Sequence, residues 1–358
     1  MTTVIRNASA ADLLANLPAL AGTTPRNSLV LLGFRGKRTH ATLRFDLPSR
    51  GYGRFASTVI GLFCKIPEVD GVVPVICTDA PFASDRDLLS LLLRRFEQAG
   101  FGVKDALIVG CDGWGSYFDP DVPPAGRPLG EIEPQHRAPT VPARVPSADE
   151  LTCRRMTVEL ARLYRLAEGE EVDSIEAEET DELDELADLP FLAENALAWD
   201  AADITSSGAL LLFALKGPPV RDLVMLQWAF GLELGDAMWS ADTCFGMEAR
   251  KTYANVDVQA ADLMMGHGPR PSTERVEAAI ALLTTLISRS DDTHRKAPLC
   301  MLAWLNWALG RGSVAGIHID EVRAIDPEYS MGELLNTLFS RGELPEWLFT
   351  SPQIPPTV

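Results

Sequence analysis

The chain has 358 residues, 46% of them hydrophobic, and a formal net charge of −18. The length suggests two domains more than one, and the acidic balance disfavours nonspecific nucleic-acid binding. The longest apolar runs, such as Ala209 to Leu215, fall far short of the roughly 20 residues of a membrane-spanning helix, and Asp12 and Asn16 interrupt any signal-like core near the N-terminus.

In chain order, Ser9-Ala10-Ala11-Asp12 leads into Leu13, Leu14, Leu17 and Leu20 at helical spacing, with Gly22 as the stop. Leu29-Val30-Leu31-Leu32 is an unbroken apolar run between Pro25-Arg26-Asn27-Ser28 and Gly33, which predicts a strand covered on both faces. After the turn Arg35-Gly36-Lys37-Arg38, Ala41, Leu43 and Phe45 alternate with Thr42, Arg44 and Asp46, which predicts an antiparallel partner. Tyr52 to Lys65 reads as a helix burying Phe55, Val59, Leu62 and Phe63. Val72 to Cys77 and Ala106 to Val109 read as further buried strands. The helix between them, which Ser84 would cap, has the apolar face Leu88, Leu92, Phe96 and Ala99. Strand, helix, strand, helix, strand predicts an α/β domain with a mixed, partly parallel sheet.

From Asp119 to Pro146, eight prolines and little periodicity predict an extended loop. Ser147-Ala148-Asp149-Glu150 matches a capping box. Between Glu168 and Asp188 stand twelve of the chain's 50 acidic residues and no base, the pattern of a solvated linker. Helical patterning then runs to the end. A helix from near Ser272 aligns Val276, Ile280, Leu283 and Ile287. Leu299 to Leu309 is apolar nearly all round and should lie at the centre of a core. Ser313 would cap a helix burying Val314, Ile317, Val322 and Ile325, and Ser330-Met331-Gly332-Glu333 matches another capping box. The expected organisation is an α/β sheet domain over residues 1–118, a proline-rich loop, capped helix and acidic linker over 119–188, and an all-α domain over 189–358. The six cysteines, Cys64, Cys77, Cys111, Cys153, Cys244 and Cys300, form no close pair, as expected of reduced thiols in a cytoplasmic protein.

Ala303-Trp304 with Gly310 and Gly312, followed by Ile325-Asp326-Pro327-Glu328-Tyr329-Ser330-Met331 and Leu334-Leu335, resembles the C-terminal signature of domain-of-unknown-function family 4192, found in high-GC Gram-positive bacteria and their phages. Ala11-Asp12-Leu13-Leu14, Pro25, Asn27-Ser28-Leu29-Val30 and Asp46-Leu47-Pro48 match its opening pattern, and Trp114, Ser116-Tyr117 and Arg221-Asp222 fit its middle. The resemblance implies a shared fold and carries no activity. Many relatives place cysteines just after the Trp-x-Ser-Tyr segment, where this chain has Phe118 to Pro124, so no thiol or metal role there would transfer. Gly310 to Tyr329 also resembles a lone tetratricopeptide-like hairpin, a unit that needs neighbours to bury its faces.

Ligands of open α/β sheets favour the crevice beyond the carboxyl ends of the strands. Asp79 and Asp112 fall there, and as neighbours they could hold a divalent cation through oxygen ligands, with Trp114, Ser116 and Tyr117 offering a stacking surface and hydroxyls. The competing reading makes Asp79 a turn cap before Pro81 and Asp112 part of an Asp-Gly turn. The histidines have no ligand spacing, and Gly110-x-x-Gly113-x-Gly115 opens no helix, against dinucleotide binding. The expected function is a non-enzymatic binding or scaffolding protein without a cofactor. Its partner would be another protein or a second copy, not nucleic acid or membrane. The alternative is a metal-assisted hydrolase or nucleotide-binding enzyme working through Asp79 and Asp112.

Overall fold

The computed structural model describes residues 9–22, 24–132, 144–168, 185–200, 204–243 and 255–350. Part of the proline-rich stretch (133–143), most of the acidic block (169–184) and Cys244 lie outside the described residues. Two units share the chain, one of Met1–Val141 with Phe349–Val358 and one of Pro142–Leu348.

In the first unit a mixed sheet is built outward from β1 (Ser28–Arg35). It pairs antiparallel with β2 (Arg38–Asp46) on one side and with β3 (Gly71–Cys77) on the other. β3 runs parallel to β4 (Gly102–Val103) and β5 (Leu107–Val109), and β6 (Trp114–Ser116) closes the sheet antiparallel to β5. The order is β2-β1-β3-β5-β6, with β4 beside β3. Gly36 makes the β1–β2 turn at φ +58°, a left-handed conformation that costs glycine little.

Helices α1 (Ala10–Ala21), α2 (Tyr52–Phe63) and α3 (Arg86–Gln98) cover both faces. Leu29, Leu31, Val72, Ile76 and Ile108 pack with Val59, Phe63, Leu92 and Phe96 of α2 and α3. Val30, Leu32, Val73, Val75 and Leu107 face the opposite way, onto Leu13, Leu14 and Leu17 of α1. Covered on both sides, β1 and β3 read as continuous apolar runs, while β2 at the edge keeps its alternation.

Pro74 stands inside central β3, where a missing N–H would break a ladder. The Val72 carbonyl accepts from Lys104 N at 3.0 Å, so Pro74, two residues on, faces the same side. On that side β3 pairs with β4 up to Val72 and with β5 only from Val75. The proline thus sits in the gap between the two partners.

The second unit is helical: α4 (Glu150–Ala167), α5 (Leu189–Ala196), α6 (Thr205–Ala214), α7 (Pro218–Phe230), α8 (Leu232–Thr243), α9 (Val256–Met264), α10 (Thr273–Arg289), α11 (Asp292–Ala308), α12 (Gly312–Ile325) and α13 (Ser330–Ser340). Its core is centred on α11, which buries every residue from Ala297 to Ala308 as its all-round apolarity predicts. Each fully buried indole of this core finds a carbonyl. Trp228 Nε1 donates to Ala193 O at 2.7 Å, and Trp304, Trp307 and Trp347 donate to Met264, Glu343 and Ala308 at 2.9 Å. The capped helix α4 contributes Met156, Leu160 and Leu163 to the same core.

Several local readings shift. α4 is capped by Asp149, whose carboxylate accepts from Thr152 N at 3.0 Å, in place of the Ser147 capping box. α3 starts after Asp85 rather than Ser84, α12 after Arg311, and α13 after Tyr329, the last with Ser330 already inside the helix. α12 buries Val314, Ala315, His318, Ile319 and Val322, leaving Ile317 only half-buried. The competing spacings differ by one residue, and the packing of α12 on α11 selects between them.

Candidate functional site

The loops that leave β3 and β5 hold the two carboxylates singled out by the sequence. Asn27, at φ +41°, precedes β1, and asparagine is among the few side chains that tolerate this region. Its amide Nδ2 donates to Asp79 Oδ2 at 2.5 Å, and Asp79 N donates back to Asn27 Oδ1 at 2.8 Å. This reciprocal pair ties the entry of β1 to the exit of β3, whose end residues Ser28 and Cys77 are in register. Ser28 Oγ continues the arrangement by donating to Arg26 O and accepting from Arg44 Nε. Asp112 Oδ1 accepts from Phe82 N at 2.7 Å, and Cys111 N donates to Ala80 O at 3.0 Å. Each carboxylate therefore fastens one loop to a neighbouring segment.

The glycines of the Gly110-x-x-Gly113-x-Gly115 pattern have the same structural logic. A β-carbon at Gly110 would lie 2.4 Å from Phe82 N, one at Gly113 2.2 Å from Ala125 O, and one at Gly115 2.5 Å from Val122 Cγ2. The backbone of residues 80–82 and the 122–127 loop occupy the space that a phosphate would need in a glycine-rich cradle. Trp114 N and Arg127 O, with Arg127 N and Trp114 O, bond the second of these loops onto β6 at 3.0 and 2.7 Å. Asp119 and Arg127 close that loop with an ion pair at 2.6 Å, and the Arg127 guanidinium holds the Asp119 carboxyl below the ordinary range.

Of the remaining candidates, Trp114 and Ser116 lie on one face of β6, and Tyr117 follows the strand and turns to α3. Trp114 is 5% exposed and packs with α1. Ser116 Oγ donates to Asp105 Oδ1 at 2.5 Å. Tyr117 is exposed, its hydroxyl 2.9 Å from Ser90 Oγ on α3 and its ring edge-on to Phe118. Among the described residues no group of three or more His, Cys, Asp or Glu side chains is placed to hold a metal ion. The described cysteines are free thiols. Burial pushes the thiols of Cys77 and Cys300 up to about 12, which keeps them protonated at neutral pH.

In the second unit the structure assembles polar groups that the sequence reading did not connect. Arg221 Nη1 donates to the Tyr329 hydroxyl at 3.3 Å and Nε pairs with Asp222 at 2.8 Å. Lys296 pairs with Asp326 at 2.7 Å and lies 5.4 Å from the Tyr329 ring centroid. Two motif segments far apart in the chain, Arg221-Asp222 and Asp326 to Tyr329, thus meet over α11. Deeper, Arg295 is wholly buried against Glu321 at 2.5 Å, and both hold the backbone of Val145. Arg295 Nη2 donates to its carbonyl at 2.6 Å, and its N–H donates to Glu321 Oε2 at 2.8 Å. His294 bridges Asp291 Oδ1 (2.7 Å) and the Tyr164 hydroxyl (3.2 Å), while Asp291 also caps α11. These partners are 26 to 176 residues apart, or sit in unremarkable Asp-x-x-His and Arg-Asp strings, so no spacing rule exposes them.

The family model described as a domain of unknown function, DUF4192, matches residues 11–346. No curated protein and no solved structure matches the chain.

Proposed function

The chain belongs to the DUF4192 family of domains of unknown function, and on that premise we propose that it is a non-enzymatic binding or scaffolding protein. The observation that carries this reading is the engagement of the sheet's carboxyl-end groups by the chain itself. Asp79 is paired both ways with Asn27, Asp112 holds Phe82 N, and the space at Gly110 and Gly113 is filled by backbone. Both carboxylates are exposed to solvent, and each is already engaged with a neighbouring segment of the chain. The metal-assisted hydrolase reading has no comparable support.

In this reading the sheet unit and the helical unit are separate domains that each present a surface. The segment from Gly310 to Tyr329 serves as a single tetratricopeptide-like unit whose neighbours are the other helices of its own unit. No helix among the described residues is long and apolar enough to cross a membrane, and the partner proposed here is another protein. The test is thermal melting of the full chain with and without millimolar Mg²⁺ or Mn²⁺. A ligand that binds only the folded chain raises its melting temperature. The reading predicts no metal-dependent shift, and a shift that disappears in Asp79→Asn and Asp112→Asn would overturn it.

A further inference from the structure

We infer that the outward face of α4 docks an acidic amphipathic helix of a partner protein; this rests on the binding reading above. α4 is anchored by Met156, Leu160 and Leu163, all buried. On the opposite side Leu151 and Val158 are each 59% exposed. They stand seven residues apart, two turns or about 10.5 Å along the axis. Arg154 and Arg155 lie between them at i+3 and i+4 from Leu151, so all four share one stripe. Arg155 is exposed, and the Arg154 side chain is 73% exposed with its Glu150 contact stretched to 3.6 Å. The helix carries four arginines (154, 155, 162 and 165) and two glutamates (150 and 159) between its acidic caps Asp149 and Glu168, and the two arginines of the stripe are both exposed.

Charge selects the occupant. An antiparallel second copy of α4 would set Leu151 against Val158 but Arg154 against Arg155, and a parallel copy would oppose each arginine with itself. Like charges facing each other across an interface are unfavourable. A partner helix with apolar residues two turns apart and carboxylates between them satisfies both halves of the stripe, since guanidinium–carboxylate bonds are directional and strong. An anionic bilayer fits less well. The stripe offers two aliphatic side chains and no aromatic ring, while Met156, Leu160 and Leu163 are already in the core.

The test uses the full chain and a fluorescent helical peptide with leucines two turns apart and glutamates between them, alongside a twin with lysines in place of the glutamates. Anisotropy should rise saturably with the glutamate peptide and not with the lysine peptide. Arg154→Glu with Arg155→Glu should weaken the glutamate peptide at least tenfold and admit the lysine peptide. Leu151→Ser with Val158→Ser should also weaken binding about tenfold, because each tenfold is only about 1.4 kcal/mol. All four positions are exposed, so the melting temperatures of these variants should match wild type. Absence of binding by the glutamate peptide, or equal binding of both peptides, overturns the assignment of α4. Binding of phosphatidylserine vesicles that is lost in the same variants overturns it in favour of a lipid surface. If the peptide fails and no metal shift is found, only the α4 assignment falls; a metal shift requiring Asp79 removes the binding reading itself.

Discussion

At the scale of single residues, the polar groups sunk into the helical core carry the sharpest consequences. His318 is buried on α12, and burial lowers its pKa to about 4 from an ordinary 6.5. The fold therefore holds the neutral ring while the unfolded chain binds a proton more readily. The stability this contributes is full above about pH 6.5 and is lost as pH falls toward 4, by at most about 3 kcal/mol. Urea unfolding of wild type and His318→Leu at pH 7 and pH 4.5 should show the wild type losing more stability on acidification. Parallel losses would contradict the assignment. Trp304, fully buried and bonded to Met264 O, makes the second residue-level prediction. Trp304→Ala removes a large apolar side chain and leaves a cavity, costing about 3–5 kcal/mol. Its thermal melt should fall by many degrees, and a melt within a degree of wild type would mean that the indole is not a core member.

At the scale of elements, the parts legible in the sequence were those whose patterns come from burial alone. β1 and β3 read as doubly covered strands because helices lie on both faces, and α11 read as central because no polar face interrupts it. β4 and β6 went unread. β4 has two residues and β6 has three, and the glycine-rich Trp114-Gly115-Ser116 looks like a loop until β5 and Arg127 pair with it. The starts of α3, α4, α12 and α13 lie one to two residues from the expected caps, and among them only α4 is closed by a side chain, that of Asp149. The glycines around β5 and β6 were legible as unusual but not as packing sites, since their neighbours come from other segments. Gly113→Ala tests that role: its new β-carbon would meet the Ala125 carbonyl at 2.2 Å, a backbone atom that cannot swing aside. The variant should melt below wild type, with its loss confined to the sheet unit when followed by hydrogen exchange. An unchanged melt would show that the 122–127 loop is not held against this bend.

At the scale of the whole molecule, the two units have different kinds of order. The sheet unit spends its conspicuous carboxylates and glycines on fastening loops, and the helical unit buries an Arg295–Glu321 pair that holds the chain at Val145. None of the candidate site residues Asp79, Asp112, Trp114, Ser116 and Tyr117 could be given its role from the sequence, because each role depends on a partner from a distant segment: Asn27, Phe82, α1, Asp105 and Ser90. The most direct measurement of this account is chemical unfolding of Asp79→Ala and Asp112→Ala beside wild type in metal-free buffer. Carboxylates gathered for a cation repel one another when it is absent, so removing one relieves the apo protein. Carboxylates that fasten loops do the opposite, and losing one such hydrogen bond costs about 1 kcal/mol. The account predicts that both variants are less stable than wild type by about that amount. A gain in stability in either variant would contradict it.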